Sequence, residues 1–391
     1  MSDFFMDTYK RTGLVFVRGS GARLWDERGG EYVDFTAGIG VNSLGHAHPA
    51  LVAAITAQAG RLIHISNYYQ SREALSLAEK LCTATGFDRV FLCNSGAEAN
   101  EGAIKIARKW GASKSPSRTT IVTLEGSFHG RTIATLAATG QPKFHVNFGP
   151  FPAGFSYVKA NDKAALAKAL GSEVCALMLE PIQGEGGVVP LDEGYLREAA
   201  RLCAERDILL IADEVQCGVG RTGALLTSAQ MGVKADVVPL AKGLGGGVPI
   251  GAVLARGSAA EVLGRGDHGS TFGGNPLAAA AAVAVLDALA APGFLDSVAA
   301  KGARLMGAVR SWKHPIVKEV RGKGLMIGIA VNVKPDRIKE LCLERGLLVL
   351  TAGEDAVRLL PPLVIPDSDI DAGLGLMREA FDAVLAESRA S

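Results

Sequence analysis

The sequence predicts an α/β protein built on a mostly parallel sheet that is covered on both faces. Three observations carry this. From about Ala74 to Pro276, short apolar runs alternate with helix-length segments, the order expected of parallel strands joined by crossover helices. The runs are continuously apolar, which marks strands buried on both faces. Finally, five runs end in polar or Gly-rich segments at 94–97, 125–131, 180–187, 213–216 and 241–247. Such sheets bind ligands beyond the carboxyl ends of their strands, so the five segments should converge on one crevice.

The elements follow in order. Residues 21–36 read as a β-hairpin about Gly29-Gly30, then a loop over Gly38–Pro49 and a helix from about His48 to Arg61. His46 and His48 bracket an alanine, but no carboxylate or cysteine nearby completes a metal site, so they are read as loop structure. The helix Ala74–Thr85 precedes the strand Arg89–Cys93 and the helix Glu98–Trp110. Thr120–Leu124 and Val174–Leu179 are strands, the helix Glu193–Arg206 leads to the strand Ile208–Ala212, and Val237–Leu240 is the last strand of the series. Beyond it the spacing predicts helices over 276–290, 296–311, 335–345 and 368–387, with strands at Gly324–Ala330 and Leu347–Leu350.

Composition narrows the function classes. The net charge of +1 advertises neither nucleic acid nor an anionic membrane as a partner. The six cysteines are scattered without a Cys-x-x-Cys pair, as expected of reduced core residues in a cytoplasmic protein. The start, Met1-Ser-Asp-Phe-Phe-Met-Asp7, is acidic and reads as no signal peptide, and no apolar segment is long enough to span a bilayer.

Each strand end offers a different chemistry. Lys242 follows a buried strand and stands among glycines with no neighbouring charge, which suits either a solvated loop lysine or a reactive amine. Ser95-Gly96-Ala97 opens a helix and suits a phosphate or an ordinary N-cap. Asp213 ends a core strand and needs a cationic or hydrogen-bonding partner, such as a protonated pyridine nitrogen. Phe128 in a Gly-flanked loop could stack on an aromatic ring, and Arg131 could fork onto a carboxylate. Together these are the requirements of pyridoxal phosphate, a cofactor held as a Schiff base on lysine.

The chain resembles the class III pyridoxal-phosphate aminotransferases, within them the ornithine and acetylornithine subgroup. The matching stretches are Ser95-Gly-Ala-Glu-Ala-Asn100, Phe128-His-Gly-Arg-Thr132, Glu180-Pro-Ile-Gln-Gly-Glu185, Asp213-Glu-Val-Gln-Cys-Gly-Val-Gly-Arg221, Ala241-Lys-Gly243, Gly269-Ser-Thr-Phe-Gly-Gly-Asn275 and Arg358-Leu-Leu-Pro-Pro-Leu-Val364. The resemblance implies fold type I, with a large PLP-binding domain over 61–285 and a smaller α+β domain built from 1–60 and 286–391. It also implies a homodimer with active sites at the interface. Lys242 would carry the cofactor as a Schiff base and Asp213 would meet the pyridine nitrogen. Phe128 and Val215 would flank the ring, Gln216 would reach its phenolic oxygen, and Ser95, Gly96 and Ala97 would hold the phosphate. Thr271 would complete the phosphate site of the other subunit, with Ser270 beside the substrate.

Substrate logic separates two arginines. In an ω-aminotransferase the α-carboxylate is distal, where Arg131 would hold it, whereas glutamate brings a second carboxylate beside the reacting carbon, where Arg358 would bind it. Glu185 would neutralise Arg358 for the ornithine-type substrate. Where ornithine aminotransferases carry a tyrosine, this chain has Gly38, which leaves room for an acyl group or serves loop geometry alone. The resemblance therefore favours ping-pong transfer of the terminal amine of N2-acetylornithine to 2-oxoglutarate. N-succinylornithine, N-succinyl-diaminopimelate, ornithine, 4-aminobutyrate, and an aminomutase or decarboxylase on the same scaffold are the alternatives.

Overall fold

The structure, a computed structural model, describes residues 4–390; Met1–Asp3, part of the start read as lacking a signal peptide, and Ser391 lie outside them. Its centre is a seven-stranded sheet in the order Arg89–Cys93, Gly251–Ala255, Val237–Leu240, Leu209–Ala212, Val174–Leu179, Thr120–Leu124, Phe155–Val158. Every pairing is parallel except the two made by Gly251–Ala255, which runs antiparallel to both of its neighbours.

The two faces explain the unbroken apolar runs. Ala176, Met178, Ile211, Val237 and Val253 point into one core cluster, while Leu177, Leu179, Leu210, Val238 and Leu254 point into the other. Successive side chains alternate across a strand, so a strand covered on both faces has no polar positions. On the first face lies the helix Gly96–Lys114, which buries Ala99, Ala103, Ile104, Ala107 and Trp110 at helical spacing. Ser95 caps it, its hydroxyl accepting from Glu98 N at 3.1 Å. Elsewhere the helix Pro276–Leu289 packs against both Arg72–Thr85 and Pro49–Ala59.

Two four-stranded sheets flank this centre. Phe16–Ser20, Arg23–Asp26 and Glu31–Asp34 form a meander joined by Leu347–Leu348 in parallel, so the hairpin is one strand larger than expected. The second sheet is ordered Val317–Lys323, Met326–Val331, Ala356–Leu359, Leu350–Ala352. The single strand expected at Gly324–Ala330 is thus the second arm of an antiparallel pair. Its first arm was hidden because Val317–Lys323 carries charges along most of its length. The run Leu347–Leu350 is divided between the two small sheets. His46 has a structural partner, its Nε2 lying 2.8 Å from Asp34 Oδ2. All six cysteines are free, and all but Cys82 are buried.

Candidate active site

Asp213 follows the strand Leu209–Ala212 and is 3% exposed. An ionised carboxylate at that depth needs several donors. Its Oδ2 accepts from Asn100 Nδ2 at 2.7 Å and lies 2.8 Å from His129 Nδ1, while Oδ1, among the described residues, accepts only from Val215 N at 3.0 Å. One oxygen is therefore filled and the other keeps room for a further donor. Asn100 Nδ2 also donates to His129 O at 2.6 Å, tying the two donors together.

Asn100, His129 and Glu180 belong to this arrangement but were not singled out in the sequence. Asn100 did leave a signal, since it sits on the helix face that buries Ala99, Ala103 and Ile104. A polar side chain in such a row asks for a buried partner. Glu180, buried, accepts from Phe128 N at 2.8 Å and from Gly184 N at 3.0 Å. It fixes two strand-end loops relative to one another. Burial pushes its pKa up to about 7.

Lys242 stands at the end of the neighbouring strand, half-buried. Its backbone φ is +44°, a left-handed conformation that is sparsely populated for a non-glycine residue. Burial pulls the pKa of its ammonium down, and the Glu185 charge opposes that shift. Ser43 Oγ donates to Gly243 O at 2.9 Å, bringing the Gly38–Pro49 loop against the lysine segment.

Glu185 and Arg358 are brought together across 173 residues. Arg358 comes from the C-terminal strand Ala356–Leu359 and Glu185 from the loop after Val174–Leu179. Arg358 Nη1 donates to Glu185 Oε1 at 2.5 Å and to Gln216 Oε1 at 3.1 Å. Burial raises the Glu185 pKa, but the Arg358 charge and hydrogen bond outweigh it and leave the carboxyl below its usual range. Arg321 Nη2 donates to Gly187 O at 2.9 Å and Gly353 N to Glu185 O at 2.9 Å, clamping the Glu185 loop to the C-terminal sheet.

The remaining residues are distributed as follows. A side chain at Gly96 would sit 2.6 Å from Val215 Cγ1, so the helix start lies directly on Val215. Gly96 N and Ala97 N, two of the first-turn amides, have no acceptor within the helix. The Ser95 hydroxyl is used as the cap. Phe128 is half-buried and meets Phe144 edge-on at 5.8 Å. Arg131 is exposed, lies 4.2 Å over the Phe144 ring and 5.5 Å over Phe128, and forms no ion pair among the described residues. Ser270 Oγ accepts from Asn94 Nδ2 at 3.0 Å, whereas Thr271 and the adjoining Phe272 are exposed. Gly38 has φ +61°, so the backbone by itself favours glycine there.

The chain as a whole has relatives among known proteins. The sequence is similar to the acetylornithine aminotransferase of Caldanaerobacter subterraneus subsp. tengcongensis, 48% identical over 99% of this chain and 98% of that one. The structure superposes on the N-acetylornithine aminotransferase of Stenotrophomonas maltophilia with a TM-score of 0.85, at 42% identity over 97% of this chain and 98% of that one. It superposes on the ornithine aminotransferase of Toxoplasma gondii, described with partial occupancy of PLP at its active site, with a TM-score of 0.94 at 38% identity, covering 99% and 94%. The pattern described as aminotransferase class-III matches residues 5–381, so the chain belongs to the class-III aminotransferase family.

Proposed function

We propose that the chain transfers the terminal amino group of N2-acetylornithine to 2-oxoglutarate, as an acetylornithine aminotransferase that uses pyridoxal phosphate. The observation that carries the reading is the ion pair of half-buried Glu185 with buried Arg358, close enough to Lys242 that both charges, and that of Asp213, act on its amine. The names of its full-length relatives support the substrate.

The residues suit the cofactor. Asp213 Oδ1 keeps a lone pair for a protonated ring nitrogen, Gly96 N and Ala97 N are open to a phosphate at a positive helix end, and Lys242 offers an amine. When bound, pyridoxal phosphate supplies the carbonyl that takes up an amine and the ring that withdraws electrons from the reacting carbon. Lys242 would hold that carbonyl and, once displaced, carry a proton on Nζ away from the substrate carbon. Its lowered pKa favours the neutral amine this step needs. Asp213 would keep the ring nitrogen protonated. Phe128 and Val215 would flank the ring.

Arg131 would receive the α-carboxylate of the acylated donor. With Arg358 neutralised by Glu185, the reacting end of the donor meets no bare cation. A dicarboxylic 2-oxoacid would displace Glu185 and take Arg358.

The same reading extends to assembly and organisation. A second copy of the chain would cover the exposed Phe4, Phe5, Met6, Tyr9, Tyr68, Tyr69 and Phe272 and would receive Thr271 at its phosphate site. The large domain would span 61–285, which contains the seven-stranded sheet, and the smaller one 1–60 with 286–391, which supply the flanking sheets. Six free thiols support a cytoplasmic setting.

The test is kcat/KM over N-acetylornithine, N-succinylornithine, ornithine and 4-aminobutyrate with 2-oxoglutarate, for the wild type and Gly38→Tyr, with Gly38→Ala as the backbone control. N-acetylornithine should lead in the wild type, and the tyrosine should cost it about tenfold or more relative to ornithine. A wild type that prefers ornithine overturns the substrate assignment. Loss of visible cofactor absorbance with donor and its return with 2-oxoglutarate would separate transamination from aminomutase or decarboxylase chemistry.

A further inference from the structure

Arg358 is 3% exposed, and its position is set by two acceptors. Nη1 is shared between Glu185 Oε1 and Gln216 Oε1, and Gln216 Nε2 in turn lies 3.5 Å from Glu185 Oε1. The three side chains therefore close a ring in which the amide touches both members of the ion pair. The amide is itself wedged. A Cβ at Gly184 would fall 2.4 Å from Gln216 Cδ and Nε2, so the chain at residue 184 packs flat against it. Meanwhile Arg358 Nε has no partner among the described residues. The guanidinium is held through one prong, and the rest of its fork remains for a planar carboxylate.

We propose that Gln216 is the positioning residue of the Glu185–Arg358 pair: its amide holds the guanidinium against the carboxylate and sets how readily Arg358 turns to a dicarboxylate. The proposal rests on reading that pair as a substrate gate. It also gives one amide two duties. Oε1 serves Arg358 and one N–H serves Glu185, which leaves a second N–H for the oxygen of the cofactor ring. Turning Arg358 toward a substrate carboxylate removes the acceptor role of Oε1, so the same amide reports the state of the gate to the ring.

Glutarate tests this directly, because it carries both carboxylates but neither carbonyl nor amine and cannot turn over. Its dissociation constant would be measured by calorimetry on the holoenzyme and on Glu185→Ala, Gln216→Met, Gln216→Glu and the double variant Glu185→Ala/Gln216→Met. Methionine conserves volume and offers only a weak acceptor, so Gln216→Met should tighten glutarate binding about five- to tenfold. Glutamate at the same position supplies a second anion to Arg358 and should weaken it by a similar factor. Once Glu185 is gone there is no closed pair to hold, so Gln216→Met should have no further effect in the Glu185→Ala background. Unchanged binding in Gln216→Met alongside tightened binding in Glu185→Ala would overturn the role of Gln216 and leave the gate standing. Unchanged binding in Glu185→Ala would overturn the gate and the proposal with it. An equal effect of Gln216→Met with and without Glu185 would show that the amide acts elsewhere.

Discussion

His129 Nδ1 lies 2.8 Å from Asp213 Oδ2, and the two side chains are 0% and 3% exposed. The imidazole and Asn100 fill the same oxygen, and the other accepts from Val215 N. Removing His129 leaves a buried carboxylate one donor short. His129→Ala should cost about 3 kcal/mol of stability, measured by denaturant titration, and should speed cofactor loss on dialysis. His129→Asn, which can keep a donor near Oδ2, should recover part of both. A variant as stable as the wild type would show that Asp213 does not depend on this contact.

Lys242 allows a test of charge coupling in the cofactor-free protein. Its ammonium titrates below the usual 10.5 because it is buried, while the Glu185 carboxylate pulls the other way and Arg358 adds to the lowering. Glu185→Gln removes the largest of the opposing charges and leaves Arg358, so the pH midpoint for labelling Lys242 with an amine reagent should fall further. A rise would contradict the stated balance. Lys242→Ala should abolish turnover while cofactor still binds.

Arg131 should affect substrate binding without affecting folding. It is exposed, and among the described residues it is held only by the Phe144 and Phe128 rings. Arg131→Lys loses the planar fork, so KM for the donor should rise about tenfold or more, with stability within about 0.5 kcal/mol of the wild type. Steady-state kinetics and a thermal melt on the same sample decide it.

Glu214 contributes a pH-dependent stability. Burial raises its carboxyl pKa from 4.5 to about 7, against hydrogen bonds from the Ser228 and Thr227 segment. The folded state keeps a proton that the unfolded chain releases between these values. The contribution is therefore complete below pH 4.5 and is lost as pH rises through about 7. Glu214→Gln cannot titrate, so its unfolding free energy should change less over that interval than the wild type's, by on the order of 1–3 kcal/mol.

Much of this molecule was legible because its strands are continuously apolar. Arg89–Cys93, Thr120–Leu124, Val174–Leu179 and Val237–Leu240 stand where the sequence predicts them. Gly251–Ala255 was missed: it opens on glycine, comes directly after the Gly-rich lysine segment, and breaks the parallel alternation. Phe155–Val158, an edge strand, is only partly buried. At the site, motif residues announced themselves by unusual chemistry in a loop, as Lys242 and Asp213 do. Asn100 and His129 did not, because their role is a shared contact with Asp213 across 113 and 84 residues. The ring of Glu185, Gln216 and Arg358 was half legible. The resemblance implies the Glu185–Arg358 pair, whereas the position of an amide between them depends on how closely Gly184 approaches.

The antiparallel strand also makes the edge of the large sheet a long-range closure. Arg89–Cys93 lies at the edge of the large sheet and pairs there with Gly251–Ala255, a contact closed about 160 residues later in the chain. A nascent chain that has emerged only through Leu240 therefore holds its first sheet strand unpaired, ahead of the helix whose first turn faces the ligand crevice. During that stretch of synthesis an apolar edge is open to neighbouring chains. The edge of the large sheet is thus completed only by five residues that themselves carry none of the chemistry, and Arg358 follows later still.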